Sequence, residues 1–233
     1  MKGLVISGGA SMGAYAGGVA EFLIRDCGKK YDIFVGTSAG SLLIPLLALG
    51  KIEKLKRVFT SVRQSDIFNI CPFIIKKKNG VYSYRINHFN TVRMFIRGKK
   101  TFGESKALRN LICTTFTEED YHQLRDCEVD VVVTVANLSC QRVEYKSIHD
   151  YSYEEFCDWM WISSNIVPFM SLVEKDGMEY ADGGFGNFLP VHEAIERGAC
   201  DIDAIVLKPE QEDVGCYLPT RNAFSVMIRG FDF

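Results

Sequence analysis

The sequence has 233 residues, of which 47% are hydrophobic and 24% are charged, and its formal net charge is -2. This composition predicts a compact globular protein and excludes disordered and collagen-like chains, and the low net charge argues against general nucleic-acid binding. The opening MKGLVISGG is too short for a signal peptide, and LLIPLLALG is about half of the roughly 20 residues that span a bilayer. We therefore expect a cytoplasmic protein with a single domain over residues 1–233.

Strands and helices alternate in the first part of the chain. KGLVIS is typical of a strand, AYAGGVAEFLIRD of a helix, YDIFV of a second strand and SLLIPLLAL of a second helix, and IEKLKRVFTSVRQ continues with helical spacing. Such alternation predicts βαβ units, and hence an α/β fold with a mainly parallel sheet and helices on both of its faces.

The pattern is less regular from residue 66 to about 104. The dipeptide NG at 79–80 lies between FIIKKK and VYSYRI, which indicates a hairpin or an irregular excursion, and HFNTVRMFIRG resembles a short helix. We interpret this segment as a basic and aromatic cap or insertion. Within the helix, Phe95 and Ile96 are expected to be core residues.

Regular patterns return after this segment. SKALRNLICTTF and YEEFCDWMWISSN are typical of helices, the second ending before Val167 and Pro168. VDVVVTVANLSC predicts a buried strand with QRVEYKSI as its neighbour. MEYADGG, PVHEAIERG and DAIVL then predict a strand, a helix and a final strand.

The pentapeptide GTSAG fits the pattern Gly-x-Ser-x-Gly between a predicted strand and a predicted helix. Gly36 and Gly40 allow a turn tight enough to expose the hydroxyl of Ser38 at the carboxyl edge of the sheet. The N–H groups and the positive dipole end of the following helix favour an oxyanion there. Ser38 is therefore a candidate nucleophile.

A glycine-rich loop, SGGASMG, joins the first strand to the first helix, and such loops bind either phosphates or oxyanions. A dinucleotide-binding fingerprint would need glycine in place of Ala10 and an acid near the end of the second strand, where Asp32 stands instead at the start. A P-loop would need Gly-Lys-Ser/Thr. We therefore interpret the backbone donors near Gly9 and Ala10 as an oxyanion hole.

The block EYADGGFGNFLPV places Asp182 directly after a predicted strand and before Gly183 and Gly184. A carboxylate at such a turn can act as the base for a hydroxyl nucleophile if it lies within about 2.6–3.2 Å of it. His192 follows Asp182 but is interpreted as an ordinary surface or capping residue, and no histidine is given a catalytic role. No cofactor or metal is expected, because the eight cysteines contain no CxxC pair and no loop resembles an EF-hand.

Taken together, these blocks resemble the patatin-like phospholipase family over most of the chain. The resemblance rests on SGGASMG, GTSAG, SSNIVPFM and YADGGFGNFLPV in this order. It implies a three-layer α/β/α fold and an acyl hydrolase with a Ser–Asp dyad and no histidine. It assigns Ser38 as the nucleophile and Asp182 as the base, and it assigns oxyanion and substrate binding to Gly8, Gly9, Ala10, Ser11, Met12 and Gly13.

Two departures from the family pattern stand out. The family loop usually reads Gly-Gly-Gly-x-Arg/Lys-Gly, whereas Ala10 replaces the third glycine here and Met12 the basic residue, which removes positive charge near the oxyanion. The chain also stops soon after LPTRNAFSVMIRGFDF, so a C-terminal helical layer of the family is expected to be missing or reduced.

Residues 71–110 contain ten Lys or Arg and one acid, Glu104. Aromatic and aliphatic side chains are interspersed with the cations: Phe73, Ile74, Ile75, Tyr82, Tyr84, Phe89, Met94, Phe95, Ile96 and Phe102. Two interpretations stay open, peripheral contact with an anionic membrane and a solvated face whose aromatic residues pack inward.

The sequence thus favours a serine acyl hydrolase whose substrate is a phospholipid or another lipid ester. The alternative is a lipid-binding protein of the same fold with weak or no catalytic activity, which Met12 favours. A nucleotide-binding enzyme is a third possibility. The oligomeric state is left open.

Overall fold

The computed structural model of the protein describes residues 1–78 and 81–208, with side chains described outside 77–84. The strands are β1 (Lys2–Ile6), β2 (Ile33–Thr37), β3 (Phe73–Lys78), β4 (Val81–Ile86), β5 (Asp130–Asn137), β6 (Arg142–Ser147), β7 (Val173–Lys175), β8 (Met178–Asp182) and β9 (Asp201–Ile205). The helices are α1 (Gly13–Glu21), α2 (Ala39–Ala48), α3 (Ile52–Ser61), α4 (Gln64–Ile67), α5 (His88–Ile96), α6 (Lys106–Thr115), α7 (Glu118–Arg125), α8 (Tyr153–Ser163) and α9 (Val191–Glu196).

Four strands of the main sheet, β9, β1, β2 and β5, lie side by side and are parallel, with β9 at the edge. The remaining strands are antiparallel: β6 and β8 both pair with β5, and β7 pairs with β8. The α/β prediction with a mainly parallel central sheet is confirmed. The parallel strands read as continuous apolar runs because helices cover both of their faces.

Alternate residues of the central strands enter two cores. Leu4 and Ile6 of β1 lie in the larger core with α1, α2 and α8, while Val5 lies in the smaller core with Ala194 of α9. This division follows from the two-residue period of a strand, which points successive side chains to opposite faces. The sheet is therefore the middle layer between helices.

The strands β3 and β4 form a separate antiparallel pair, followed directly by α5. This confirms the two arms of the predicted hairpin, whereas Asn79 and Gly80 lie outside the described residues. Ile96 is 81% exposed and Phe95 is 52% exposed, so the expectation that both are core residues was wrong. Met94, 2% exposed, is the side chain of α5 that faces the protein.

Three elements, α4, α7 and β7, were not predicted. The helix α7 begins with a capping box, in which the Thr117 hydroxyl accepts from the Asp120 amide and the Asp120 carboxylate accepts from the Thr117 amide. The pattern Thr-x-x-Asp in TEED was a usable signal for this helix start. Strand β7 is only three residues long and pairs with β8 across a turn at Asp176 and Gly177.

In the described part of the chain, no helix is both long and apolar enough to cross a membrane. The cysteines described there are free thiols. The C-terminal segment LPTRNAFSVMIRGFDF, on which the expectation of a reduced helical layer rested, lies outside the described residues.

Candidate active site

The strands β2 and β8 meet end to end along one edge of β5. Thr37 pairs with Thr134, and Asp182 pairs with Val135, the next residue of β5. Because β6 pairs with the other edge of β5 over both of these positions, β2 and β8 must share one edge. Since β2 is parallel and β8 antiparallel to β5, their carboxyl ends face each other, and this places Ser38 beside Asp182.

Ser38 occupies a strained turn between β2 and α2. Its φ of 55° lies in the left-handed region that residues with a side chain rarely adopt. A β-carbon on Gly36 would lie 2.6 Å from the carbonyl carbon of Gly40, and one on Gly40 would collide with the carbonyl of Ile6. Both glycines of GTSAG are therefore required by the close approach of β2, α2 and β1.

The hydroxyl of Ser38 donates a hydrogen bond to Asp182, with 2.6 Å between Oγ and Oδ2. Both side chains are nearly buried, Ser38 at 6% and Asp182 at 4% exposure. The other carboxylate oxygen, Oδ1, accepts from the amide of Gly184 at 2.7 Å. The pair thus has the contact distance that proton transfer from a hydroxyl nucleophile needs.

Burial raises the pKa of Asp182 to about 7, although the hydrogen bonds from Ser38 and the Gly184 amide oppose this rise. The cause is loss of hydration, which penalises the charged carboxylate more than the neutral acid. A carboxyl with this pKa is a far stronger base than an exposed aspartate. The side chain can therefore exchange a proton with Ser38 near neutral pH.

Two serines at the end of α8 contact the backbone of Ser38, a role that the sequence did not reveal. The amide of Ser38 donates to Ser163 Oγ at 3.0 Å, and the Ser164 hydroxyl is shared between the carbonyls of Met160 at 3.0 Å and Ser38 at 3.3 Å. The hydroxyl and the amide of Ser41 also donate to the Ser38 carbonyl, at 2.6 and 3.0 Å. The consecutive serines in SSNIVPFM, just before a proline, were the available signal.

We expect Ser163→Ala to destabilise the turn more than Ser164→Ala. Ser163→Ala leaves the buried amide of Ser38 without an acceptor, which should lower the free energy of unfolding by about 1–3 kcal/mol. Ser164→Ala removes one of three donors to the Ser38 carbonyl, so a loss of less than about 1 kcal/mol is expected. Urea unfolding of the two variants measures the difference, and equal losses would contradict a specific role for Ser163.

The glycine-rich loop lies against Ser38. A β-carbon on Gly8 would lie 3.4 Å from Ser38 Cβ and 3.2 Å from the ring of Phe188. The amide of Gly8 donates to the Phe188 carbonyl, and those of Met12 and Gly13 donate to the Gly9 and Ala10 carbonyls.

Three of the six predicted oxyanion donors are thus occupied by backbone carbonyls. In the part of the chain that the structure describes, the amides of Gly9, Ala10 and Ser11 have no such backbone partner. Ala10 has a φ of 46°, so the alanine that replaces the third glycine adopts a conformation that glycine would take without strain.

The segment after Asp182 is fixed to the same turn. Gly183 passes so close to the Thr134 carbonyl that any β-carbon would collide with it. The hydroxyl of Thr37 donates to the Asn187 carbonyl at 3.0 Å, and the Asn187 amide group donates to Tyr145 Oη at 2.7 Å. These contacts connect the DGG turn to β2, β5 and β6.

No histidine contributes to this arrangement. His88, His122, His149 and His192 are all exposed. His192 lies 3.7 Å from Glu196 on the surface of α9. The titratable side chain that contacts the Ser38 hydroxyl in the described structure is therefore a carboxylate.

Comparison with known proteins gives the family. The sequence matches the patatin-like phospholipase family over residues 4–195, which include the glycine-rich loop, Ser38 and Asp182. The chain belongs to the patatin-like phospholipase family. The family resemblance found from the four sequence blocks is confirmed.

Two individual proteins are also similar to this patatin-like chain. The crystal structure of VipD from Legionella pneumophila aligns with a TM-score of 0.51 at 15% identity, covering 80% of this chain and 46% of VipD, which supports the fold. The uncharacterized protein YjjU of Escherichia coli (strain K12) is 22% identical over 219 residues, 89% of this chain. The chain spans 52% of the length of YjjU.

Proposed function

We propose that the protein is a serine acyl hydrolase that cleaves ester bonds of phospholipids or other lipids, in the manner of a phospholipase A. Family membership supports a lipid ester hydrolase. The observation that carries the finer proposal is the 2.6 Å hydrogen bond from Ser38 Oγ to Asp182 Oδ2 in a nearly buried site.

The proposed reaction has two halves. Ser38 Oγ attacks the ester carbonyl while its proton moves to Asp182, and the tetrahedral oxyanion accepts hydrogen bonds from the amides of Gly9, Ala10 and Ser11. The carbon–oxygen bond to the alcohol then breaks, and the alcohol takes the proton from Asp182. Water repeats the sequence on the acyl-enzyme and releases the fatty acid together with Ser38.

The rim of the site suits an apolar acyl group. Met12 in the glycine-rich loop and Tyr15 in the first turn of α1 are 43% and 68% exposed. Phe185 and Phe188, which follow Asp182, are 42% and 36% exposed. Large apolar side chains left exposed on the two segments that carry the oxyanion donors and the base are expected where an apolar ligand binds.

The loop contains no cation at Met12, and this favours the second candidate, a lipid-binding protein with little or no turnover. The hydrolase proposal depends on the amides rather than on a side chain at this position. Both candidates keep the apolar rim, so only the reactivity of Ser38 distinguishes them.

We expect a fluorophosphonate probe to label Ser38, with a rate that rises with pH and levels off above about pH 7. The reason is that only the ionised Asp182 accepts the Ser38 proton, and burial raises the pKa of Asp182 to about 7. Peptide mass spectrometry of the labelled protein identifies the residue. Failure of Ser38 to react across this pH range would reject the hydrolase proposal and leave the lipid-binding candidate.

A further inference from the structure

The helix α5 turns its apolar side chains away from the protein. Phe89, Val92 and Ile96 are 77%, 54% and 81% exposed, and their spacing of three and four residues places them on one face of the helix. Met94 projects from the opposite side and is buried. A helix in a water-exposed position normally shows the reverse distribution.

Cations flank this apolar row. Arg93 and Arg97 lie beside Phe89 and Ile96 on the next helical row, and Lys99 follows the end of the helix. Within residues 1–78 and 81–208 these three cations have no acidic partner, whereas Lys100 pairs with Glu179 and Arg109 with Asp158. The charge around the row is therefore positive, and no acid of the described residues neutralises it.

The helix is held firmly in this orientation. Asn90 Nδ2 donates to the Cys71 carbonyl at 2.8 Å, and the Asn87 side chain accepts from the Asn90 amide at 3.2 Å at the helix start. The rings of Phe95 and Phe102 are in edge contact, with 5.8 Å between their centroids. The outward direction of Phe89 and Ile96 is thus fixed by contacts on the opposite side of the helix.

Phe102, which contacts Phe95, also connects α5 to the segment that follows Ser163 and Ser164. The Phe102 amide donates to the Pro168 carbonyl at 2.7 Å, and the rings of Phe102 and Phe169 lie 5.9 Å apart. That segment also reaches Asp182, whose amide donates to the Asn165 carbonyl. The helix α5 and the candidate active site are therefore fixed to one continuous stretch of backbone.

We propose that the outer face of α5, formed by Phe89, Val92, Ile96, Arg93 and Arg97, docks onto the surface of an anionic lipid bilayer. The apolar row enters the boundary between headgroups and acyl chains, and the arginines contact the lipid phosphates. A second copy of this chain is a poorer occupant, because two such faces would bring unneutralised arginines together. The proposal concerns binding and does not require turnover at Ser38.

Co-sedimentation with vesicles tests the proposal, using Ser38→Ala protein so that no lipid is hydrolysed. We expect binding to phosphatidylcholine vesicles that contain about 30% phosphatidylserine, and much weaker binding to phosphatidylcholine alone. Arg93→Gln/Arg97→Gln should weaken binding by about tenfold or more, since each cation near an anionic surface contributes about a fivefold effect. Phe89→Ser/Ile96→Ser should weaken binding by at least about tenfold and leave the salt dependence intact.

Matched control variants replace exposed side chains that lie outside α5. Ile195→Ser removes an exposed aliphatic side chain from α9, and Arg57→Gln an exposed cation from α3, and neither should alter vesicle binding. Absence of salt-sensitive binding, or equal binding by the Phe89→Ser/Ile96→Ser variant, would overturn the proposal. The proposal would also be overturned if the protein did not bind vesicles but formed a homodimer, or bound an acidic protein, through Phe89 and Ile96.

Because these readouts measure binding alone, they are independent of the hydrolase proposal. Hydrolysis of a soluble short-chain ester by the Phe89→Ser/Ile96→Ser variant should equal that of the wild type. Loss of vesicle binding with retained ester hydrolysis therefore supports the docking face, and failure of Ser38 to react with a fluorophosphonate leaves the docking result unchanged.

Discussion

Replacing Ser38 with alanine is expected to lower hydrolysis of a short-chain chromogenic ester by about 10⁴-fold or more. The change removes the only atom that can form the acyl-enzyme in the proposed reaction, while the oxyanion amides and the apolar rim remain. Initial rates measured with the purified variant test this expectation, provided that the preparation is free of contaminating esterases.

The Ser38→Ala protein should remain folded, because alanine keeps the backbone strain at φ 55° unchanged and occupies less space than serine. Ser61→Ala on the exposed side of α3 is a matched control and should retain wild-type rates. Hydrolysis by the Ser38→Ala variant at the wild-type rate would show that another residue performs the chemistry.

Local sequence patterns were sufficient to predict most of the strands and helices of the fold. Apolar runs identified the central strands, and the placement of β5 as a buried strand with β6 as its neighbour was correct. The strand-to-helix context of GTSAG also predicted the turn at Ser38. These are local features, because strand burial, helix period and turn geometry depend on neighbouring residues.

Other features depend on contacts between distant parts of the chain. Nothing near Thr37 or Asp182 indicates that β2 and β8 share one edge of β5, yet this brings Ser38 and Asp182 together. The raised pKa of Asp182 also requires the whole surrounding layer to exclude water. The outward position of Ile96 could not be predicted from its hydrophobicity, because the contacts of Met94, Asn90 and Phe95 with distant parts of the chain decide which face of α5 is buried.

Asp182→Asn is expected to abolish hydrolysis and, at the same time, to stabilise the protein above neutral pH. Asparagine can keep the hydrogen bond from the Gly184 amide with its oxygen and donate to Ser38 Oγ with its nitrogen, but it cannot accept the proton of Ser38. The loss of activity should be about as large as for Ser38→Ala. The Ser38→Ala/Asp182→Asn double variant should hydrolyse the ester no more slowly than either single variant, since the two residues act as a unit.

The gain in stability follows from the raised pKa. The folded protein holds a proton on Asp182 up to about pH 7, whereas the unfolded chain loses that proton near the ordinary pKa of 3.8. The wild type therefore loses stability as the pH rises between about 4 and 7, and a neutral asparagine does not. Asp182→Asn should exceed the wild type by about 2–4 kcal/mol in free energy of unfolding near pH 8 and match it near pH 4. Urea unfolding of both proteins across this range measures the difference, and a gap that does not change with pH would show that Asp182 is not a buried carboxylate of raised pKa.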